Sequence, residues 1–340
     1  MNKIRMIKRA IDVAKEESYY PEKKRKGLCK RIRENIRWVF KYNEVNRFYN
    51  LYGMDVKEAK HIFKLGFCDY DKNFRIPREK MNRLGDPNSQ IYLLRDKFQF
   101  ARHLKSCNVS TPHVFALIKN GIIYDEELNK KDLNWLQQFN DFFIKDNNGE
   151  CGSFVKHIEK GSEICEDFEV LTNKKGEYIC QEKVVQNKQL SSINPGSVNT
   201  IRACSARKKD GSIVIIAVNL RVGTSKTGNV DNWARGGLSI CVNDDGSLHK
   251  YGFYKPHLGT KAEVHPDTGI VFSQFKIEHY DEIIKFIKRA HECFYGIHSI
   301  GWDIAVTEKG PTLIEGNDNW ELSLMQHGRP LKDKWLDCLK

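Results

Sequence analysis

The 340-residue sequence has no long apolar segment, only nine prolines and no paired cysteines. No stretch approaches the roughly 20 apolar residues of a membrane-spanning helix, and the N-terminal residues lack the apolar core and cleavage site of a signal peptide. The ten cysteines stand singly, without a CxxC pair or zinc-finger spacing, which favours reduced thiols. These absences predict a cytoplasmic protein that needs no disulfides.

Several sequence signatures are missing as well. The chain has no Walker GxxxxGK[ST] loop, no Rossmann GxGxxG and no kinase HRD and DFG set. It also lacks the RNP, KH and zinc signatures of nucleic-acid-binding domains, and no Ser-His-Asp pattern stands out. P-loop, dinucleotide-binding and protein-kinase classes are therefore excluded.

What the chain does contain is enough apolar material for a packed interior. Apolar residues make up 40% of the sequence and aromatic residues 11%, which is incompatible with wholesale disorder. The length allows one large core or two to three linked lobes.

Positive charge is concentrated at the N-terminus. Residues 1–50 hold 15 Lys or Arg against 6 Asp or Glu, a net +9 of the overall +12. Such a patch can bind nucleic acid, an anionic membrane surface or an acidic glycan, and the sequence leaves the partner open. The apolar residues Ile32, Ile36, Val39 and Phe40 recur at helical spacing, so we expect this side of a helix to pack on its own domain.

The coarse pattern predicts an α+β architecture. Residues 1–65 are expected to be mostly helical, 66–87 to form a loop or linker, and 96–107 and 279–294 to form helices. The clearest strand patterns are FFIK (142–145), EYICQEKVV (177–185), TIRACSA (200–206), SIVIIAVNLRVG (212–223), WDIAVT (302–307) and PTLIEGN (311–317).

The segment 302–317 reads as a hairpin about the turn EKGP. Because side chains alternate along a strand, folding this hairpin brings Asp303 beside Glu315 and Asn317 on one sheet face. Two carboxylates and an amide oxygen are costly to bury unpaired, and Mg²⁺ prefers such oxygen ligands. A solvated face without metal is the alternative.

Two further segments carry residues suited to a nucleotide. In 142–154, a strand delivers Lys145 into a turn containing Gly149 and Gly152, where backbone N–H groups can approach an anion. A surface hairpin explains this pattern equally well. In 178–190, the strand runs into Gln181-Glu182-Lys183-Val184, which could face an adenine edge or simply be a solvated strand end.

Arginines and a polar loop mark a fourth segment. Arg202 and Arg221 each lie in a strand pattern. The segment 219–237, which includes Arg235, continues into a loop too polar and too long for a mere connection. Arginine binds carboxylate and phosphoryl groups through paired donors, although a structural ion pair is the alternative at each position.

The order of these motifs resembles the ATP-grasp superfamily, which includes D-alanine–D-alanine ligase, glutathione synthetase and the glutamate ligases that modify ribosomal protein S6. Lys97 in RDKFQFA begins the series, which ends at Asp303 and Glu315-x-Asn317. The phrases SVNTIR, VDNWARGG and GWDIAVTEKGPTLIEGN are similar to the sugar-transfer-associated ATP-grasp family found with cell-surface polysaccharide genes. The likeness covers roughly residues 90–330.

The resemblance implies an ATP-grasp fold, in which two α+β lobes grip ATP, with an N-terminal helical, basic extension. It divides the chain into a basic N-terminal region (1–90), a lid or small lobe (91–185) with its hinge at 181–184, and a catalytic lobe (186–340). The ligands that it implies are Mg-ATP and one or two Mg²⁺.

The resemblance also assigns roles to individual residues. The ATP phosphates would contact Lys97 and Lys145, with loop 148–154, including Gly149, Gly152 and Ser153, closing over them. The adenine and ribose would contact Gln181, Glu182, Val184 and Gln189. The metal would be held by Asp303, Glu315 and Asn317, the phosphoryl group and acyl phosphate would be neutralised by Arg221 and Arg235, and the acceptor carboxylate would lie near Arg202. Gln189 departs from the acidic residue that many relatives have, and loop 148–154 is less glycine-rich than theirs.

The function that this resemblance implies is an ATP-dependent carboxylate–amine ligase acting through an acyl phosphate. Its substrates would be a sugar or uronic acid precursor of surface polysaccharide and an amino acid or amine. Two alternatives stay open, namely an ATP-grasp phosphotransferase and a non-enzymatic basic protein that binds glycans or nucleic acid. Residues 1–50 are expected to contact an anionic membrane surface or acidic glycan rather than nucleic acid.

Overall fold

A computed structural model describes residues 2–149, 154–159, 176–228 and 230–340. Within these ranges the helices are α1 (Lys3–Lys15), α2 (Leu28–Tyr42), α3 (Ile76–Met81), α4 (Ile91–Arg95), α5 (Lys97–Ser106), α6 (Leu133–Leu136), α7 (Lys188–Ile193), α8 (Tyr280–Glu292), α9 (Leu322–Gln326) and α10 (Lys332–Cys338). The strands are β1 (Val114–Lys119), β2 (Ile122–Asp125), β3 (Lys130–Lys131), β4 (Phe142–Asp146), β5 (Val155–Ile158), β6 (Glu177–Glu182), β7 (Ile201–Arg207), β8 (Ile213–Val222), β9 (Leu238–Val242), β10 (Leu248–Phe253), β11 (Lys261–Ala262), β12 (Ser299–Thr307) and β13 (Gly310–Asn317).

The smaller sheet has the strand order β3-β2-β1-β6-β4-β5, and its neighbouring strands are antiparallel. Successive side chains point to opposite faces, so both faces can carry a helix. Leu117 packs in one cluster with Phe98 of α5, while its neighbour Ile118 packs in another with Leu136 of α6. The sheet is therefore covered on both sides, and α5 is fixed against it.

The larger sheet has the order β11-β10-β9-β8-β7-β12-β13 and is also antiparallel throughout. Ala203 of β7 packs in the cluster that contains Ile283 and Ile287 of α8. The next residue, Cys204, belongs to the cluster of Trp38 from α2. This sheet is thus the middle of three layers, between α8 and the N-terminal helices.

Helix α8 forms because its apolar residues recur at three- and four-residue spacing. Tyr280, Ile283, Ile287 and Ala290 are buried, and the first turn carries acidic residues, which favour the positive end of a helix dipole. The observed bounds lie within the predicted helix 279–294, and α5 likewise falls within the predicted 96–107.

The predictions for residues 43–61 and 66–87 are wrong in part. Residues 43–61 form turns rather than helix, because Asn43 takes a left-handed conformation that ends α2 and Gly53 takes another. Residues 66–87 contain a π-helical turn (Asp71–Arg75) and α3, so this segment is not a simple linker. From the sequence alone the proline in this segment indicates a helix breaker, but it lies in the first turn of α3, where proline is compatible with a helix.

The apolar side predicted for α2 is only partly buried. Val39 is fully buried, but Phe40 is 64% exposed, and Ile32 and Ile36 keep some exposed surface. The α2 residues that are buried against the core are mostly polar or aromatic, namely Arg31, Glu34, Asn35, Trp38 and Tyr42. Helical spacing alone did not show that Glu34, in an ion pair with Lys26, faces inward while Phe40 faces outward.

The N-terminal region shares its core with the larger sheet. Val13, Tyr49 and Phe74 pack in the same cluster as Ala217 and Trp320. The domain boundaries drawn from the sequence stay predictions, but residues 13–74 are not packed as a separate core. None of the helices in the described part of the chain has the length and hydropathy to cross a bilayer.

Candidate active site

The hairpin β12–β13 forms with the turn at 308–309, close to the predicted position. Its register pairs Asp303 with Glu315 and Gly301 with Asn317, with a β-bulge after Asp303. Asp303 is 5% exposed, whereas Glu315 and Asn317 keep some exposed surface. The two carboxylates therefore lie directly opposite each other on neighbouring strands.

Two arginines, one from the adjacent strand β7 and one from the next strand β8, hold Asp303. Arg202 pairs with Asp303 in the β7–β12 register, and its Nη2 donates to Asp303 Oδ2 at 2.8 Å. Arg221 of β8 donates from Nη1 to the same oxygen at 3.2 Å and also forms an ion pair with Asp231. Burial opposes the charge of Arg221, but Asp231 and Asp303 outweigh it and raise its pKa.

Glu315 has a different environment from Asp303. Burial, reinforced by the charge of Asp303, raises the pKa of Glu315, while Lys97, Arg202 and Arg221 act in the opposite direction. No hydrogen bond to the Glu315 side chain is found among the residues that the structure describes. An acidic group in this position can accept an incoming cation at little structural cost.

Two lysines approach this pair from the side of the smaller sheet. Lys145 of β4 donates from Nζ to Gln181 Oε1 at 2.7 Å, and burial lowers its pKa to about 8 despite the attraction of Glu315. Lys97, the first residue of α5, lies close enough to lower that pKa further, and its Nζ donates to Gly149 O at 2.6 Å. Cations from both sheets therefore surround two carboxylates.

Asn147 positions Lys97, and sequence reasoning missed it. Its backbone carbonyl accepts from the N–H of Lys97 at 3.1 Å, and its Oδ1 accepts from the N–H of Phe98 at 2.9 Å. The residue thus caps the first turn of α5 and ties that helix to the end of β4. The Asn-Asn-Gly turn after Lys145 was the available signal.

Arg95 and Asp318 form a second pair that sequence reasoning missed. Arg95 donates from Nε and Nη2 to the two carboxylate oxygens of Asp318 at 3.0 and 2.8 Å. Asp318 directly follows Asn317, so this bidentate pair fixes the end of β13.

The other residues predicted to contact the nucleotide lie in different surroundings. Glu182 accepts from the N–H of His113 at 2.8 Å through its carboxylate, and Val184 is partly exposed in the segment that follows β6. The amide of Gln189 is engaged at both ends, with Lys276 O at 2.7 Å and the N–H of Glu278 at 3.1 Å. Their roles toward a nucleotide stay predictions.

Among the described residues, no hydrogen bond or ion pair joins Arg235 to the carboxylate pair or its lysines. Arg235 ends a short 3₁₀ turn (Trp233–Arg235) and is exposed. Gly152 and Ser153 lie outside the described residues, together with most of the loop predicted to close over ATP.

The predicted metal ligands Asp303, Glu315 and Asn317 all offer oxygen atoms, which suits a hard divalent cation. Among the described residues, no group of three His, Cys, Asp or Glu is arranged to hold a metal. The predicted set has only two such residues, Asp303 and Glu315, and completes its oxygen donors with the amide of Asn317. Mg²⁺ commonly binds through one or two carboxylates plus phosphate and water oxygens, so the unpartnered Glu315 fits it.

Two antiparallel sheets and their helices define an α+β protein, in which a carboxylate pair of the larger sheet lies among cations. The chain belongs to the sugar-transfer associated ATP-grasp family, whose model matches residues 78–336. Both the predicted resemblance and the predicted ATP-grasp fold are thereby confirmed. A search of curated proteins found no match.

Solved structures similar to this chain include three enzymes. The ADP complex of N5-carboxyaminoimidazole synthetase from Staphylococcus aureus is 10% identical (TM-score 0.43), over 68% of this chain and 46% of that one. The L-amino acid ligase of Bacillus licheniformis is 12% identical (TM-score 0.44), over 74% and 48%. The D-alanine-D-alanine ligase of Helicobacter pylori is 14% identical (TM-score 0.42), over 73% and 60%. The chain thus spans about half the length of the solved proteins it matches.

Proposed function

We propose that this chain is a cytoplasmic, Mg-ATP-dependent ligase that activates a carboxylate as an acyl phosphate and joins it to an amine. The observation that carries the proposal is the Asp303–Glu315 pair, which is approached by lysines from one sheet and arginines from the other. Membership of the ATP-grasp family supports ATP as the phosphoryl donor.

In this proposal Lys97 and Lys145 bind the phosphate oxygens of ATP. Within the part of the chain that the structure describes, Lys145 has one hydrogen-bond partner, the neutral Gln181, so its charge can attract a phosphate. Lys97 contacts Gly149 at the start of the loop predicted to close over ATP, so one cation links the phosphates to the loop. Excluding water there would protect an acyl phosphate from hydrolysis.

Asp303, Glu315 and Asn317 would hold Mg²⁺, which when bound offsets the negative charge of the transferring phosphoryl group. Arg202 already shares Asp303 with Arg221, so the carboxylate is held in one orientation before any ligand binds. A preorganised site of this kind needs little rearrangement during the reaction.

The chemistry proceeds in two displacements at the substrates. A carboxylate oxygen attacks the γ-phosphorus, and the bond from that phosphorus to the β–γ bridging oxygen breaks, which releases ADP. The amine then attacks the acyl carbon, a C–N bond forms, phosphate leaves, and the amine loses a proton to solvent. Arg221, fixed by Asp231 and Asp303, is the residue that we assign to the negative charge on the acyl oxygen.

We further infer that the acid is a sugar or uronic acid precursor of cell-surface polysaccharide, and that the amine is an amino acid or similar compound. The description of the family as sugar-transfer associated supports this substrate class. Arg202 beside Asp303, and the exposed Arg235, are the cations that we assign to the acceptor carboxylate and the phosphoryl group.

The test is product formation by the purified protein with Mg-ATP and panels of uronic acids and amines. We expect ADP and phosphate to be released only when an acid and an amine are both present, with a product mass equal to their sum less water. Release of ADP without any amine, together with a product heavier by a phosphoryl group, would instead identify a phosphotransferase.

A further inference from the structure

The outer surface of α2 carries a row of exposed cations. Lys30, Arg33, Arg37 and Lys41 recur at three- and four-residue spacing along α2, and all four are exposed. None of them forms an ion pair within the described residues. A solvated helix face usually mixes both signs of charge, whereas this one carries a single sign.

Two large apolar side chains are exposed at one end of the same surface. Phe40 and Ile4 are each 64% exposed. Helix α1 packs on α2 through Met6 and Val39, which brings the start of α1 beside the end of α2. Lys3 confirms this arrangement, since its Nζ lies 5.1 Å from the Phe40 ring centroid.

A shallow cleft lies beside Phe40. It has a volume of about 400 Å³ and is lined by Arg37, Phe40, Lys41 and Phe63. Lys41 Nζ lies 4.5 Å from the centroid of the Phe63 ring, so cations and aromatic rings share the cleft walls. A ligand that matches both would carry an anionic group and an apolar part.

We propose that this α1–α2 surface binds an anionic phospholipid bilayer, with its cations on the phosphate headgroups and Phe40 and Ile4 at the acyl boundary. Cations beside exposed apolar residues are the pattern of helices that lie in a membrane interface. Nucleic acid or an acidic glycan would satisfy the cations but would leave the aliphatic Ile4 in water. A lipid surface is therefore the partner that matches both the cations and the exposed apolar side chains of this face.

The proposal is separate from the ligase site, so it can be tested without a substrate. Binding is measured by flotation of the full chain with vesicles of phosphatidylcholine alone, or of equal parts phosphatidylcholine and phosphatidylglycerol. We expect binding to the anionic vesicles only. Because each cation near an anionic surface changes binding by about fivefold, the double variant Arg33→Glu/Arg37→Glu should weaken binding at least about 25-fold.

Phe40→Ser should weaken the same binding by about tenfold, since an apolar side chain no longer reaches the acyl boundary. The matched control is Lys285→Glu/Lys288→Glu, which reverses two exposed cations on α8. We expect it to bind vesicles within a small factor of the unmodified chain. Melting curves by circular dichroism check that all three variants fold.

Three results would overturn the proposal. The first is no binding to anionic vesicles. The second is equal loss of binding in the α2 and α8 charge variants, since total charge would then explain it. The third is unchanged vesicle binding by Phe40→Ser together with equally tight binding to heparin, which would indicate a polyanion partner instead.

Discussion

Two lysines with little exposed surface, Lys26 in the segment between α1 and α2 and Lys145 on β4, have contrasting surroundings. Lys26 is 3% exposed and donates to Glu34 Oε2 at 2.8 Å and to the carbonyl of Met54 at 2.6 Å. Lys145 donates to the neutral amide oxygen of Gln181. Burial lowers the pKa of both lysines, and carboxylates oppose the shift in both, but among the described residues only Lys26 forms an ion pair, with Glu34, whereas Glu315 acts on Lys145 without a hydrogen bond.

This difference distinguishes a charge that stabilises the fold, on Lys26, from a charge that a ligand would neutralise, on Lys145. Glu34 also accepts from the hydroxyl of Tyr49 at 2.6 Å, so the Lys26 group is complete without any further partner. The Lys145 group has an excess of cations and a carboxylate, Glu315, without a hydrogen bond among the described residues. A buried charge alone does not indicate function, but an incomplete set of partners does.

The largest expected effect distinguishes the carboxylates of Glu315 and Glu34. Glu315→Gln should lower turnover by about a thousandfold or more, because a metal ligand is lost from the transition state. The measurement is the rate of ADP release with the acid–amine pair found by screening. Its control, Glu34→Gln, should keep turnover in the folded fraction but lower the free energy of unfolding by about 3 kcal/mol. An unchanged rate in Glu315→Gln would remove the site assignment.

The next effect separates the two lysines themselves. Lys145→Met should weaken ATP binding by about thirtyfold to a hundredfold, since a charge-assisted contact to phosphate is lost. It should not lower the free energy of unfolding, because it removes a desolvated charge that forms no ion pair within the described residues. Calorimetric titration and denaturant unfolding measure the two quantities.

Lys26→Met should do the reverse. It leaves Glu34 buried without its cation and should cost about 3 kcal/mol of stability, with ATP affinity retained. If both lysine variants lost stability and neither lost affinity, the distinction between the two regions would fail.

A smaller effect follows from the pKa of Lys145. Because the free protein has this pKa at about 8, the ammonium is present below pH 8 and is lost above it. ATP affinity should be constant below pH 8 and then fall by at most about tenfold per pH unit. Lys145→Arg, whose guanidinium does not titrate in this range, should remove that fall. A fall of equal steepness in the arginine variant would assign it to another group.

The smallest expected effect concerns Gln189. Its amide is occupied by the backbone of residues 276–278, so Gln189→Ala should lower the free energy of unfolding by about 1 kcal/mol and leave ATP affinity essentially unchanged. A clear loss of affinity would support the ribose contact that the family resemblance implies.

Local pattern was enough to predict the hairpin and the main elements near it. The alternation in 302–317 and the turn at its centre indicated that Asp303 and Glu315 would meet, and the register pairs them. Strand alternation depends only on neighbouring residues, so the sequence pattern alone predicts which side chains share a face. The ATP-grasp assignment came instead from the order of the motifs along the chain, because no single motif indicated the family.

Features that depend on long-range contacts could not be read from the sequence. Nothing local indicated that Arg202 and Arg221 would both bind Asp303, since 82 or more residues separate them from it. The buried polar face of α2 was missed for the same reason, because Glu34 is buried by its contacts with Lys26 and Tyr49 rather than by its own hydropathy.

The central claim is that Glu315 and Asp303 hold a metal that helps to bind ATP. It is tested most directly by titrating ATP calorimetrically into the chain and into Glu315→Gln, each with and without Mg²⁺. The account predicts that Mg²⁺ tightens ATP binding in the unmodified chain and that this increment disappears in the variant. An equal increment in both proteins would contradict it.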